Sequence, residues 1–493
     1  MTSHSTGPSG KAIDDRPSFL RRIAGLLLPE NESARRRLYV AVAMLLYCAA
    51  WALLVTRAYV RHTRLDFAIA DAVGYYAYLP TLVIDHDLRF RNQLETQLDS
   101  EQLIEELAGA GQQGVWGVSA ERNRFPIGIA ISVLPGFLVA HGLSLLVNGA
   151  TGSMFFEPNG YTILYFVFTV ANAMAVGTAA MIYADRLLTE RFGISGRCAA
   201  AAVLTYWLGS NMAWFWLREP LVAHLIGASW IVFVTYLVHR IEFTTRRTGA
   251  TLPRWCLPML AFATSMALVC RFTNVFVFPL LLYAGVTIAR RGLLPAAMKQ
   301  APFALLALWP LLAQSVVLNV MNGHVLHQSP QELGYRPIER FYWTRPALVL
   351  SLISSRRGVF TWTPVLLLSV WGWIWAFRRR RAWRDPLLGC LGLSALVLWY
   401  VNASWYAWWF GTSAGNRAYI ELAIFFIVGF GFAFTWLVQV ASTSARRVAI
   451  AVLVLGFLVN YGVVASKLFN VLENNQPVLP LEKRLTTGAW HRF

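Results

Sequence analysis

Just past the first long apolar run stands an aspartate followed by tyrosines, Asp71-Ala-Val-Gly-Tyr-Tyr-Ala-Tyr-Leu-Pro80, and Asp85-His-Asp87 closes the segment. A carboxylate partly desolvated at a membrane–water boundary can take a proton from a hydroxyl. It can equally cap the helix that its own segment begins. Asp66 is a rival for the first role. Asp85 and Asp87 can orient a hydroxyl, bind a cation or sit in a solvated turn.

More ionisable residues stand at the ends of apolar runs. They are Glu219 in Trp214-Phe-Trp-Leu-Arg-Glu-Pro220, Arg271 in Val269-Cys-Arg-Phe-Thr-Asn274, Arg356 and Arg357 in Ser354-Ser-Arg-Arg-Gly358, and Arg417 with Glu421. Charge at membrane depth is costly and points to function by default. Several such groups on one side of a membrane are a stronger signal than any one alone. If Asp71 and Glu219 converge from different helices, they form an acid/base pair. Glu219 also suits a plain acid at a helix N-terminus, with Pro220 at the first position. The guanidinium of Arg271, and those of Arg356 and Arg357, match a phosphate in fork geometry. Arg271 also suits pairing with one buried acid, or snorkelling to the interface. His224 lies five residues after Glu219, on a different part of the first turns. The tryptophans of 405–409 suit an interfacial belt. Asn402-Ala-Ser404 matches a glycosylation sequon.

These residues need a scaffold, and composition says which. The 493 residues are 57% hydrophobic and 14% charged, which excludes a soluble globule or a disordered chain. Apolar runs of about 20 residues recur along the chain, each long enough to cross a bilayer. They are continuous rather than alternating, which argues against a β-barrel. The expected fold is an all-α polytopic membrane protein in essentially one domain. The five cysteines are scattered singly and read as small core hydrophobes, not metal ligands or disulfides. The polar first 37 residues hold no cleavable signal, so the first helix is the expected anchor. The net charge of +18 comes largely from blocks beside helix ends, such as Arg35-Arg-Arg37, Arg246-Arg247, Arg290-Arg291 and Arg378-Arg-Arg-Arg381. That is the positive-inside pattern, not a nucleic-acid surface.

About eleven spans are expected, near 38–58, 161–183, 198–214, 221–239, 255–270, 273–289, 301–320, 359–377, 386–401, 419–440 and 447–464. The segment 127–147, with Pro135-Gly136, is assigned to an outer interfacial helix. That choice leaves every dense arginine block in the cytoplasm. The layout is then a cytoplasmic basic tail (1–37), a transmembrane domain (38–464) and an outer tail (465–493). Its outer loops are 59–160, 321–358 and 402–418. In the first of them, Glu95 to Leu107 has leucines at helical spacing. No internal repeat is visible, which weakens a transporter reading. There is no Walker A, GxGxxG, HExxH or GxSxG motif, so those routes have no support.

With these residues in hand, the chain resembles integral-membrane glycosyltransferases of the GT-C superfamily. That group includes protein O-mannosyltransferases and the lipid A aminoarabinose and galacturonic acid transferases. The resemblance covers most of the membrane region through short motifs. Asp71, Tyr75 and Asp87 match the family's first outer loop, and Phe125-Pro-Ile-Gly128 looks like its interfacial segment. Glu219 matches a later acid, and Arg271 with Thr273 a later cationic hairpin. Asp71-Ala72 departs from the common Asp-Glu pair, which leaves Glu219 or Asp87 as the second acid.

The resemblance implies transfer of a sugar from a polyprenyl-phosphate donor to a lipid, glycan or protein hydroxyl on the outer face. A bacterial inner membrane, with the site facing the periplasm, is the expected setting. Asp71 and Glu219 are the expected catalytic acids. Arg271, Arg356 and Arg357 are expected to hold the donor phosphate. Tyr75, Tyr76, Asp87, His224 and Arg417 are expected to contact substrate. No cofactor is demanded, and a divalent cation shared by Asp71, Asp87 and a donor phosphate stays open. The competing readings are a transporter or flippase using the same charges as ligands, and a non-catalytic scaffold in envelope-polysaccharide assembly.

Overall fold

A computed structural model describes residues 28–61, 71–97, 118, 122–247, 252–325, 337–379, 384–411 and 413–468. Asp66, most of the 95–107 stretch, Arg380, Arg381 and the tail beyond residue 468 lie outside the described residues. Among the described residues the chain is helical. It has two isolated β-bridges, Val118–Asn123 and Phe341–Trp405, and no strand. Nine described helices are long and apolar enough to cross a membrane.

That count differs from the expected eleven for local reasons. The 198–214 run splits into Gly196–Gly209 and Met212–Leu217, because Ser210 Oγ and the Asn211 turn interrupt it. Cys256–Cys270 and Leu366–Arg379 are helical but shorter than a full span. Conversely, Gly128–Thr151 is one continuous 24-residue helix, long and apolar enough to cross by composition alone. Its contacts describe a hairpin. Asn172 donates to Ser132 O (3.0 Å) and accepts from Gly136 N (3.0 Å), and His141 Nδ1 meets the Tyr165 hydroxyl at 2.7 Å. The helix is therefore antiparallel to Ile163–Arg186. Both of its flanks touch helix Asp71–Pro80: Asn123 donates to Gly74 O before it, and Tyr76 donates to Gly160 O after it. The chain leaves and returns at the same end.

Two polar ends organise the bundle. At one, Arg35 and Tyr39 of helix Glu32–Arg61 meet Asp185 (2.9 and 2.8 Å). There Arg191 also joins Glu242 (3.1 Å) and Asp385 (2.8 Å). Asp385 explains why a helix starts beside it. Its Oδ1 accepts from Leu387 N and Leu388 N, and Pro386 takes the first position of Pro386–Ser404. Helices Ile163–Arg186 and Ala223–Arg247 run in the same direction, since Gly177 faces Leu225 while Tyr183 packs against Tyr236 further along. Their starts therefore lie at the opposite end, with Asp71.

Helices Ala223–Thr244 and Arg417–Gln439 are innermost, with 83% and 78% of their apolar windows buried. Leu294–Asn322 and Thr443–Lys467 are only 22% buried and expose Leu306, Leu312, Leu455 and Leu458. Such apolar outer faces suit lipid, with backbone bonds satisfied inside each helix. Small residues allow close approach inside the bundle. A Cβ on Gly372 would lie 1.9 Å from Gly429 O, and the same contact is bridged by Ser369 Oγ donating to Phe426 O (2.8 Å).

Candidate functional site

Asp71 is the first residue of its helix, where the dipole favours a carboxylate. The nine residues after it, Ala72 to Pro80, are all buried. Tyr75 packs against Phe125 with tilted rings 4.7 Å apart, and Tyr78 donates to Phe125 O at 2.8 Å. Gly74 is required there, because a Cβ would sit 2.0 Å from the Phe125 ring. The segment 123–125 thus packs down on the helix and fixes where Asp71 stands.

Arg417 comes from the other side of the site and holds Asp71 Oδ2 with Nη1 at 2.6 Å. Each side chain is 22% exposed. Arg417 opens a 3-10 helix, Arg417–Leu422, that leads into helix Ala423–Gln439. The turn before it needs glycine twice. Gly411 (φ +77°) leaves the guanidinium room, since a Cβ would lie 3.2 Å from Nη2, and Gly415 (φ +73°) faces Asn211. Side chains then tie down this segment's carbonyls: Asn211 donates to Asn416 O, Asn402 to Ala418 O and Tyr206 to Ile420 O. Asn402 is 1% exposed and spent on this bond, so the sequon is a packing residue.

Glu219 precedes Pro220 at the head of helix Ala223–Arg247 and lies within electrostatic reach of Arg417, Arg218 and Asp71. The two expected acids therefore do share one site with Arg417. Their environments differ. Burial pushes the Asp71 carboxyl up, but Arg417, Arg124 and His224 outweigh it and hold it below the usual range. Burial also pushes Glu219 up, and there Arg417 does not overcome it. Glu219 Oε2 is enclosed and has no hydrogen-bond partner among the described residues.

One turn beyond Arg417, Glu421 forms a second cluster. Its Oε1 accepts from His224 Nδ1 (2.9 Å) and from Arg271 Nη1 (2.8 Å). That geometry puts the His224 proton on Nδ1. Glu421 is 1% and His224 3% exposed. Arg271 is thus the partner of one buried acid, and His224 is part of the same clasp. In the 3-10 helix Arg417–Leu422, positions four apart point in different directions, so Arg417 reaches Asp71 while Glu421 reaches His224 and Arg271.

Arg356 and Arg357 lie on the turn before helix Val359–Trp362. Arg356 stacks on Trp409, 3.5 Å from the ring centre, and forms no ion pair among the described residues. Arg357 is 1% exposed and donates to Ser413 O. Burial, then Arg417 and Arg356, push Arg357 down to about 10. Trp408 and Trp409 pack on Leu350, so at least these belt residues are structural.

No protein-family model matches the chain, and no curated protein matches it.

The remaining expected contacts lie in packing or in a loop of their own. Tyr76 is 2% exposed and bonded to Gly160 O. Tyr75 is also buried, though its hydroxyl is within electrostatic reach of Arg417. Asp87 is exposed and accepts from Arg89 N in its own loop (3.0 Å), and Asp85 accepts from Gln93. Among the described residues no three His, Cys, Asp or Glu side chains are placed to hold a metal ion.

Proposed function

We propose that the chain is an integral-membrane glycosyltransferase that moves a sugar from a polyprenyl-phosphate donor to a hydroxyl of a lipid, glycan or protein. The observation that carries this reading is the convergence of Asp71 and Glu219 beside Arg417, two carboxyls of unlike proton affinity at one end of the bundle. Environments that drive two acids apart are a mark of acid/base work.

The phosphate of the donor is assigned first to Arg356, since Glu421 balances the charge of Arg271 and Arg357 is buried and bonded to Ser413 O, adding its charge from behind. Arg356, with the Trp409 ring beneath it and no ion pair among the described residues, suits an incoming anion. In the proposed reaction the acceptor oxygen bonds to the anomeric carbon. The bond from that carbon to the phosphate oxygen breaks, and its electron pair leaves on the phosphate. A site carboxylate receives the hydroxyl proton. A single displacement of this kind inverts configuration, as in inverting glycosidases. The arginines stabilise the charge that develops on the leaving phosphate. A bacterial inner membrane, with this end facing the periplasm, is the proposed setting, because the arginine blocks then face the cytoplasm.

The test is product formation by the full chain in nanodiscs, using radiolabelled polyprenyl-phosphate sugars and membrane-extract acceptors. Wild type is expected to form product, and the Asp71→Asn/Glu219→Gln double variant to form none. A flippase would bind donor without making product. Absence of product from folded wild type across the panel would overturn the reading.

A further inference from the structure

We infer that Glu219, and not Asp71, is the carboxyl group that exchanges a proton at this site, while Asp71 and Arg417 form a fixed pair that positions the reacting groups. The inference rests on the transferase reading for its chemistry, and on the geometry of the two acids for its assignment.

Asp71 is a poor proton acceptor where it stands. Its Oδ2 lies 2.6 Å from Arg417 Nη1, a short charge-assisted bond. A guanidinium does not give up its proton in proteins. Protonating Asp71 would therefore take away the short-range partner of Arg417 and leave the more distant Glu219 to balance it. Arg124 and His224 also act on Asp71 in the direction of the ionised form. The helix that starts at Asp71 adds its dipole in the same sense.

Glu219 has the opposite situation. Its Oε2 is enclosed, without a hydrogen-bond donor among the described residues. An enclosed carboxylate oxygen with nothing to bond is destabilised, and a proton or a donating hydroxyl relieves it. The groups acting on it are Arg417 on the 3-10 helix, the Trp214 ring N–H and Arg218 on the preceding segment, Asp71 at the start of helix Asp71–Pro80 and Arg357 on the 354–358 turn; all but Asp71 favour the ionised form. Arg417 is already engaged by Asp71, so its pull on Glu219 is shared. Asp71, as a second negative charge, disfavours the ionised form of Glu219. Burial acts in the same direction and is the largest influence. A base with proton affinity raised toward the working pH is the better general base.

The step balances simply. The acceptor hydroxyl loses its proton to ionised Glu219 as its oxygen bonds to the anomeric carbon. The donor phosphate departs with the electron pair of the broken bond. Neutral Glu219 then returns the proton to water when product leaves. Asp71 stays ionised on Arg417 throughout.

Infrared titration of the full chain in nanodiscs tests the assignment without any need for activity. Wild type should show a protonated-carboxyl band that titrates above the ordinary glutamate range. The band should vanish in Glu219→Gln and persist in Asp71→Asn. A band that survives Glu219→Gln, or no carboxyl titrating above the ordinary range, overturns the inference. Where transfer is measurable, Glu219→Gln should abolish the acidic limb of the kcat/KM profile, with a loss of about 10²–10⁴-fold. Asp71→Asn should lower the rate and keep that limb. Loss of the limb in Asp71→Asn with its retention in Glu219→Gln would make Asp71 the exchanging group. If no donor yields product, the transferase reading fails, while the infrared result still decides which carboxyl titrates.

Discussion

Replacing Glu421 by glutamine should destabilise the bundle strongly, because one carboxylate oxygen serves two helices. Oε1 takes the bonds of both His224 and Arg271, at 2.9 and 2.8 Å, in surroundings where Glu421 is 1% exposed. Removing one partner of a buried ion pair costs about 3–5 kcal/mol, because the other charge stays buried. Three features place this case near the lower bound, at about 3 kcal/mol. Arg271 keeps 15% exposure, the glutamine oxygen can still accept a bond, and Glu421 Oε2 makes no hydrogen bond among the described residues. The assay is reversible unfolding in mixed micelles, followed by tryptophan fluorescence, for Glu421→Gln, Arg271→Met and the double variant. Removing both charges should recover much of the loss, with a coupling of about 2 kcal/mol. Additivity of the two single effects within about 0.5 kcal/mol would refute the clasp.

Arg417→Gln should change how stability depends on pH. Asp71 has a folded pKa below its ordinary value of 3.8, so its pair stabilises the fold fully above that pH. The contribution is then lost as pH falls through the lowered value. Melting temperature measured against pH should show that acid loss in wild type and a flatter response in Arg417→Gln. Gly411→Ala should cost about 1–2 kcal/mol for a left-handed residue with a side chain. It should also displace the guanidinium that its Cβ would meet at 3.2 Å, so donor turnover should fall with stability. Gly128→Ala places a Cβ 2.4 Å from the Val269 backbone, which cannot swing aside, and should reach the top of the about 1–3 kcal/mol range for overpacking. Equal melting of wild type and this variant would show that the approach is looser than described.

The sequence carried the helical membrane architecture, because runs of apolar residues report it locally. It also placed Asp71, Glu219 and Arg417 at one end, since each stands at the edge of such a run. The pairing of those charges was not legible. Arg271 meets Glu421 across 150 positions, and nothing local in Val269-Cys-Arg-Phe distinguishes a phosphate ligand from the partner of an acid. Tyr76 reads as a substrate contact in the sequence, and Asn402 stands in a short sequon match. Their polar atoms instead satisfy the backbone at Gly160 and Ala418. Helix boundaries failed where tertiary contacts intervene. Ser210 and Asn211 break the 198–214 run, and the long helix after Gly128 folds back on 163–186.

The claim that donor sugar reacts between Asp71, Arg417 and Glu219 is tested most directly by photo-crosslinking. A polyprenyl-phosphate sugar with a diazirine on its sugar ring would be bound to the full chain in nanodiscs, irradiated and mapped by peptide sequencing. Labels are expected within 71–80, 214–224 and 405–422. Labelling confined to the other polar end, around Asp185, Glu242 and Asp385, would contradict the placement of the reaction.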